Sequence, residues 1–388
     1  MLFCVGTIDK ITSKMKEVAD FRKLRGQRYR LYNLLTISIL AMVAGADDYE
    51  AMAAFAASKE DFLVENGLLD GKRRPSHDIF RWVFKHLNAE GFSLLLGVWL
   101  EQSVEKARFQ CLENAKVPMP KRIHIDGKSL RATRTNEHTR SALQVVSAYL
   151  SDYEMCAGQL LIDGKSCEKA AIPQLIEVID LKNAIVTIDA VGTMKKIATK
   201  IIDKDGDYVL ALKKNNRLFY QEVEDFFKVF DDTKLVSFPF ETSEKSHGRH
   251  EKRVCQVISD LQYFPDAQDW KGIKSLVRIQ TEQTRNGKLV KETRFYISSL
   301  PPNAKDLLEA VRKHWSVENN LHWSLDVSFN EDKSRVKDKN AATILAALRR
   351  FALALINNIK ISKNSVKSQR LQAGWNNQFL LKVFKLLN

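Results

Sequence analysis

Residues 184–213 read AIVTIDAVGTMKKIATKIIDKDGDYVLALK and predict a strand, a helix and a second strand. This alternation favours a parallel crossover within one sheet. Upstream, RIHIDGKSL (122–130), ALQVVSAYL (142–150) and MCAGQLLID (155–163) predict three strands that can form a meander, and EKAAIPQLIEVIDL (168–181) predicts a helix. The predicted fold class is therefore α/β, with a mixed sheet and helices on its faces.

Segments of different character flank this sheet. Residues 1–118 carry apolar residues at helical spacing and predict an all-α N-terminal domain, followed by the two-proline linker KVPMPK (116–121). Within residues 215–301, RVCQVISDL, SLVRIQTEQTR and KETRFYISSL predict strands, and Asn286-Gly287 indicates a hairpin turn. Helical patterning then returns. The order predicts a sheet that a β-rich insertion interrupts.

The composition indicates a folded protein that binds a polyanion. Lys and Arg number 61 against 47 Asp and Glu, so the formal net charge is +14, and 45% apolar residues suffice for a large core. The five cysteines form no CxxC pair. The longest charge-free stretch, residues 31–46, is shorter than the about 20 residues of a bilayer span. We expect a cytoplasmic protein with reduced thiols and with no signal peptide, membrane span or zinc site.

Two aspartates end strands of the predicted sheet. Asp126 lies in IHIDGKS and Asp189 in VTIDAVG. Taken singly, each is more often an Asp that caps a turn. If the first and fourth strands are neighbours, however, the two carboxylates meet at one edge and repel each other unless a cation lies between them. Oxygen ligands with no nearby Cys suit Mg²⁺ or Mn²⁺, and Glu318 on the next predicted helix, residues 303–329, supplies a third acid.

Other chemistries have weaker support in the residues. His314, Glu318 and His322 are four residues apart and share one face of that predicted helix, which leaves a transition-metal site as an alternative, without the HExxH spacing. A Ser-His-Asp hydrolase lacks a GxSxG turn. The chain has neither a GxxxxGK[ST] loop nor a GxGxxG fingerprint, so nucleotide binding has no support.

At these residues the sequence resembles a known family. IHIDGKSLR, IVTIDAVGTMKKIATKIIDKDGDYVLALKKNN and HWSVENNLHWSLDVSFNEDKSR resemble the DDE transposases of bacterial insertion sequences, in the branch that includes the H-repeat-associated proteins. FRKLRGQRYRLYNLLTISILAMVAGA and RRPSHDIFRWVF are similar to the helical domain that precedes the catalytic domain in that branch, and KSHGRHEKR is similar to a segment of its insertion.

The resemblance implies an RNase H-like catalytic core and a metal-binding catalytic triad of Asp126, Asp189 and Glu318. It implies two Mg²⁺ ions, which Mn²⁺ can replace. The implied partner is double-stranded DNA, both the terminal inverted repeats of the element and the target. A homodimer is expected in the DNA complex, and the protein is expected to associate with the nucleoid when bound to DNA.

The implied organisation has five segments: a helical N-terminal DNA-binding domain (1–118), the first part of the catalytic core (119–214), the β-rich insertion (215–301), the second part of the core with the Glu helix (302–360) and a basic C-terminal tail (361–388). Candidate DNA contacts are the cations near the acids and in the N-terminal domain, namely Lys128, Arg131, Arg134, Arg312, His314, His322, Arg73 and Arg74. Where the wider superfamily has a Tyr, an Arg and a Lys around its Glu, this chain has Val311, His314 and Leu325.

The predicted activity is cleavage at insertion-sequence ends followed by strand transfer. One alternative keeps the fold and is a nuclease that cuts without joining. A second is a domesticated or inactive DNA-binding protein derived from a transposase. A carboxylate-metal phosphatase is a third, although it does not explain why the chain has no acidic residue after Asp338.

Overall fold

The structure is a computed structural model of the 388-residue chain. It describes residues 5–111, 121–134, 141–164, 168–229, 237, 239–246, 249–285, 288–359, 361 and 363–387. Contacts divide the chain into two compact units: a first unit of residues 1–118, 127–167 and 318–388, and a second unit of residues 119–126 and 168–317. Neither unit is one continuous segment, and strand β1 defined below contributes residues to both.

The described residues form fourteen α-helices and nine β-strands. The helices are α1 (Val5–Met15), α2 (Leu31–Val43), α3 (Tyr49–Ser58), α4 (Glu60–Glu65), α5 (His77–His86), α6 (Ala89–Cys111), α7 (Glu168–Val178), α8 (Lys195–Asp203), α9 (Arg217–Val229), α10 (Ala304–His314), α11 (Trp323–Phe329), α12 (Lys339–Ile359), α13 (Val366–Trp375) and α14 (Asn377–Val383). The strands are β1 (Lys121–Ser129), β2 (Leu143–Leu150), β3 (Met155–Asp163), β4 (Ala184–Ile188), β5 (Asp207–Leu212), β6 (Phe240–Ser246), β7 (Arg249–Ile258), β8 (Ser275–Arg285) and β9 (Lys288–Ser298).

In the first unit, the N-terminal helices and α12 share a core. Helix α5 shows why the sequence folds in this way: Phe80, Val83 and Phe84 are buried on one face, while its charged residues remain exposed. Helix α12 is long and apolar enough to cross a membrane by length and composition, but 83% of its most apolar window is buried inside the protein. It is the central core helix of this unit.

In the second unit, the strand order is β1-β4-β5-β9-β8-β7-β6. The β1–β4 and β4–β5 pairs are parallel, and the remaining pairs are antiparallel. Helix α8 connects β4 to β5 and buries Ile197, Ala198 and Ile201 on its apolar face. The predicted mixed α/β architecture with parallel crossovers is confirmed, and the pairing of β9 with β5 joins the later strands to the same sheet.

The structure differs from the sequence predictions at three places. Helix α9 and strand β6 lie in the region predicted only as three strands. The single helix predicted over residues 303–329 is divided into α10, a π-helical turn (Val317–His322) and α11. Its buried positions Val311 and Val317 are six residues apart, a spacing that a regular α-helix does not place on one face.

The segment predicted as a basic tail is folded. Helices α13 and α14 and the 3-10 turn that follows them bury Ala373, Leu380 and Phe384 in the first unit. The expectation of a tail was wrong because these apolar residues recur at helical spacing between the lysines. The linker residues 116–120 and the turn Asn286-Gly287 lie outside the described residues.

Candidate functional site

The two predicted aspartates lie where the parallel pairing of β1 with β4 ends, Asp126 within β1 and Asp189 directly after β4. The β1–β4 register runs from Lys121↔Ala184 to Ile125↔Ile188, so Asp126 and Asp189 follow directly after the last pair. Neighbouring strands lie about 4.8 Å apart. One oxygen of Asp189 accepts a hydrogen bond from the backbone N–H of Val191 at 3.0 Å. The turn-capping interpretation is therefore correct for one Asp189 oxygen, and the two aspartates occupy corresponding positions on neighbouring strands.

Three hydrogen-bonded polar side chains lie next to this pair, two of them two residues before the aspartates on the same strands. His124 and Thr187 are cross-strand neighbours, and their Nδ1 and Oγ1 atoms are 2.6 Å apart. The same Thr187 hydroxyl lies 2.7 Å from Nδ1 of His314, at the end of α10. The two imidazole rings meet edge to face, with centroids 5.8 Å apart. The hydroxyl therefore links β1, β4 and α10 within the second unit.

The imidazoles of His124 and His314 are both neutral. Burial lowers the pKa of His314 to about 4; the Asp189 carboxylate opposes this shift, and Arg294 adds to it. Burial also holds the pKa of His124 well below its usual value, and the nearby cations Lys313 and Arg122 add to this shift. In this structure His314 is neutral and hydrogen-bonded to Thr187 through Nδ1, so it offers no positive charge to a phosphate, and its contact with DNA stays a prediction.

These shifts predict a loss of stability on acidification. When folding lowers the pKa of a histidine, its contribution to stability is fully present above pH 6.5, the ordinary pKa. This contribution is lost as the pH falls toward 4, the pKa in the folded state. The variant His314→Gln should therefore lose less free energy of unfolding over that interval than the wild type, by about 2–3 kcal/mol. Urea unfolding at several pH values measures this difference.

The exposed His77 offers a matched control for that series. Its His77→Gln variant should follow the wild-type pH dependence. Parallel curves for wild type and His314→Gln would contradict the assignment of a neutral His314 with a lowered pKa.

Glu318 lies in the π-helical turn and belongs to the first unit. Its side chain is exposed, and His322 follows it at the end of the same turn. The shared face of His314, Glu318 and His322 was predicted for one regular α-helix, but His314 ends α10, whereas Glu318 and His322 lie in the π-helical turn. Among the residues that the structure describes, no group of three or more His, Cys, Asp or Glu side chains is arranged to hold a metal ion.

Lys128 lies two residues after Asp126 and is surrounded by acids of the first unit. Its ammonium is 2.6 Å from Asp326, 2.8 Å from Asp332 and 3.7 Å from Glu331, and the side chain is only 7% exposed. A buried lysine needs such partners, since an unpaired charge is costly away from water. The predicted DNA contact through Lys128 is therefore corrected to an internal ion pair.

Glu331 extends these contacts into the core. It is fully buried, and Arg350 donates to its carboxylate at 2.7 Å and to the Ser147 hydroxyl at 3.2 Å. Burial alone would raise the pKa of Glu331, but the charges of Arg350 and Lys128 outweigh it and lower the pKa. Three acids of this network were not predicted from the sequence, although all lie within residues 314–335, after Glu318: Asp326, Glu331 and Asp332.

Removing the Lys128 charge is expected to destabilise the first unit. The variant Lys128→Met keeps most of the side-chain volume but leaves three carboxylates together. We expect a loss of about 3 kcal/mol in the free energy of unfolding, the lower end of the range for a broken buried ion pair, because Arg350 still pairs with Glu331. Urea denaturation measures this loss.

An exposed lysine supplies the matched substitution. Lys228 is 61% exposed and pairs with Glu224 on α9, so Lys228→Met should change the free energy of unfolding by less than about 0.5 kcal/mol. Equal effects of the two substitutions would contradict the buried network around Lys128.

The other predicted DNA contacts are more accessible. Arg131 is 83% exposed although it pairs with Asp332, Arg134 is exposed, and Arg312 pairs with Glu244 at 2.6 Å. Arg73 and Arg74 line an open groove with a volume of about 840 Å³, which we call the basic groove. Its lining residues are Arg28, Tyr29, Arg73, Arg74, Ser76, Asp78, Ile79, Arg81, Trp82 and Lys85.

Comparison with known proteins identifies the class of protein. Residues 118–355 match the family model described as transposase DDE domain, and residues 12–100 match the model described as DDE_Tnp_1-associated. The first match spans more than half of the chain. The chain belongs to the DDE transposase family, and the resemblance stated from its motifs is confirmed.

Individual relatives agree with this assignment. YncI of Escherichia coli O157:H7, named as a transposase, is 32% identical over 97% of this chain and 95% of its own length. The H repeat-associated protein YhhI of Escherichia coli (strain K12) is 31% identical over 97% of this chain and 98% of its own. A piggyBac transposase in a synaptic complex with hairpin DNA aligns with a TM-score of 0.41 and 12% identity, over 100% of this chain and 79% of that one. The family assignment rests on the sequence matches.

Proposed function

We propose that this DDE transposase cleaves DNA at the ends of an insertion sequence and joins the freed end to target DNA, through an RNase H-like core with Asp126, Asp189 and Glu318 as its catalytic acids. The observation that supports the proposal is the β1–β4 register, which ends at Ile125↔Ile188, so that Asp126 and Asp189 are the next residues of two adjacent strands. Two carboxylates at neighbouring positions repel each other unless a cation lies between them, so this arrangement suits a metal-dependent reaction.

The donor set suits hard divalent ions. Asp126 and Asp189 offer carboxylate oxygens, the ligands that Mg²⁺ prefers and Mn²⁺ accepts, and Glu318 is the acid proposed to complete the set. Two bound ions would activate the attacking oxygen and stabilise the departing one.

The side chains themselves supply preorganisation. The strand ladder fixes the backbone of both aspartates, and the Val191 N–H holds one Asp189 oxygen, so little rearrangement is needed when the ions and DNA bind. One site serves both steps, because only the nucleophile changes, from water to a DNA 3′-hydroxyl. The protein contributes position and charge, and the proposal needs no covalent intermediate with the protein.

Double-stranded DNA is the proposed substrate, as element ends and as target. The net charge of +14 favours a polyanion, and exposed cations such as Arg73 and Arg134 are suited to contact phosphates. Two ends must be cut in concert, so we propose a homodimer in the DNA complex. Chromosomal DNA as substrate agrees with the predicted cytoplasmic, nucleoid-associated location.

Neutral versions of the proposed acids should abolish cleavage and leave DNA binding intact. We expect Asp126→Asn, Asp189→Asn and Glu318→Gln each to lower the cleavage rate by about 100-fold or more, because each removes charge that stabilises the transition state. Nicking of a labelled element end in Mg²⁺, with a gel-shift measurement of affinity, tests this. The exposed Asp269, paired with Lys195, gives the control Asp269→Asn, which should cleave normally.

The same assay distinguishes the alternative activities. Joined products with a plasmid target support a transposase, whereas cleavage without joined products would indicate a nuclease. Binding without nicking in Mg²⁺ and Mn²⁺ would indicate an inactive DNA-binding protein. Near-normal cleavage by any one of the three acid variants would refute the triad.

A further inference from the structure

The basic groove of the first unit carries an excess of positive charge. Arg28, Arg73, Arg81 and Lys85 line it and are exposed, Arg74 lies beside them in an ion pair with Glu60, and Asp78 is the acid among the lining residues. Such a row of cations along a concave surface attracts a chain of phosphates.

Exposed aromatic rings accompany these cations. Trp82 is 44% exposed and Phe21 is 40% exposed, with ring centroids 5.6 Å apart, and His86 lies 4.8 Å from Trp82. The core of α5 is already supplied by Phe80, Val83 and Phe84, so Trp82 is not needed there. A cluster of exposed aromatic rings marks a binding surface.

The shape of the groove distinguishes between two forms of nucleic acid. A helix that reads the major groove of a duplex must protrude from the protein. Helix α5 instead forms one wall of a concavity, with residues 28–29 and 73–76 as the other lining segments. A single strand enters such a concavity and presents unpaired bases, whose free faces stack on aromatic side chains.

We propose that the basic groove binds a single strand of DNA, with phosphates on Arg28, Arg81 and Lys85 and an unpaired base stacked on Trp82. The charge and the rings carry this proposal; only the choice of DNA over RNA rests on the proposed function. The site is separate from the three proposed catalytic acids in sequence and in chemistry.

The test measures binding of a fluorescent oligothymidylate of about 12 nucleotides by anisotropy, with the full chain and without metal. Trp82→Ala should weaken affinity for the single strand about tenfold, Trp82→Phe should retain most of it, and Arg81→Ala with Lys85→Ala should flatten the dependence on salt. Trp375, 75% exposed on α13 and outside the groove, gives the control Trp375→Ala, which should bind like the wild type.

Three results would overturn the proposal. The first is equal binding of the oligonucleotide by Trp82→Ala and Trp375→Ala. The second is an equal loss of duplex binding and single-strand binding in Trp82→Ala. The third is a Trp82→Ala variant that dissociates a dimer and keeps its DNA affinity, which would make the patch a protein interface. Because no cleavage is measured, these results are independent of the catalytic proposal.

A second observation concerns the hydroxyl of Thr187. His124 precedes Asp126 by two residues, and Thr187 precedes Asp189 by two, so along each strand the polar residue and the acid share a face. His314 joins them from α10. A hydroxyl has one proton to donate and accepts through its lone pairs. If the Thr187 hydroxyl donates to the Nδ1 of one histidine, the Nδ1 of the other histidine must carry a proton and donate it to the Thr187 oxygen.

We infer that Thr187 is a positioning residue for Asp126 and Asp189, since its hydroxyl fixes the relative placement and the tautomers of His124 and His314 behind them. This inference rests on the proposed function for its kinetic readout. It is supported by the contacts of the Thr187 hydroxyl with His124 at 2.6 Å and with His314 at 2.7 Å, and it requires no change of protonation.

Valine and serine separate the hydroxyl from the shape of the side chain. Thr187→Val should lower the cleavage rate about 10–100-fold with unchanged DNA affinity, the usual effect of losing a group that orients a metal-binding residue. Thr187→Ser should restore the rate. The control Thr199→Val removes a hydroxyl that bonds the Lys195 carbonyl within α8, and it should cleave normally.

A second readout keeps the inference testable if the chain does not cleave. Nitrogen-15 spectra of the imidazoles should show two fixed, different tautomers in the wild type, which Thr187→Val alters and Thr187→Ser preserves. Unchanged spectra in Thr187→Val, or equal cleavage by Thr187→Val and wild type, would overturn the inference. A wild type that does not cleave would instead count against the proposed function.

Discussion

The parallel pairing of β1 with β4 is the constraint on which the proposed chemistry depends. A shift of one residue in this register would separate Asp126 from Asp189 and would also part His124 from Thr187. Because side chains alternate along a strand, the same shift would turn the buried isoleucines of the shifted strand to the opposite face. The apolar pattern that fixes the core therefore also fixes the place of two carboxylates.

The two units solve the burial of polar groups in opposite ways. Behind the aspartates, His124 and His314 become neutral and share one hydroxyl, so no charge has to be buried. Around Lys128 the charges are kept, and the fully buried Glu331 is ionised between Arg350 and Lys128. The neutral histidines add no charge of their own beside the aspartates. The ion pairs of Lys128 instead attach the end of β1 to Asp326, Glu331 and Asp332.

Local patterns in the sequence predicted the strands near residues 121–163 and 184–212, because each is a short apolar run between turns. Helix α9 was missed although Phe219, Val223 and Phe227 repeat at helical spacing, a signal that a periodicity count would have found. The ion pair between Lys128 and Asp326 could not be found in this way. The two residues are 198 positions apart, and no local pattern encodes which distant charge a buried lysine will meet.

Some cations of the chain are held in internal ion pairs and others are exposed, and the two groups lie in different regions. Near the proposed acids, Lys128 and Arg312 are held by carboxylates of their own units. Bringing such cations to a phosphate would first break internal pairs, so they contribute little to affinity. Exposed cations of the helical region, among them Arg28, Arg73 and Arg81, meet no such cost. Under the proposed function, affinity for DNA should therefore depend on the exposed cations of the helical region and fall with salt, and the proposed acids at the strand edge would act on the bound phosphodiester.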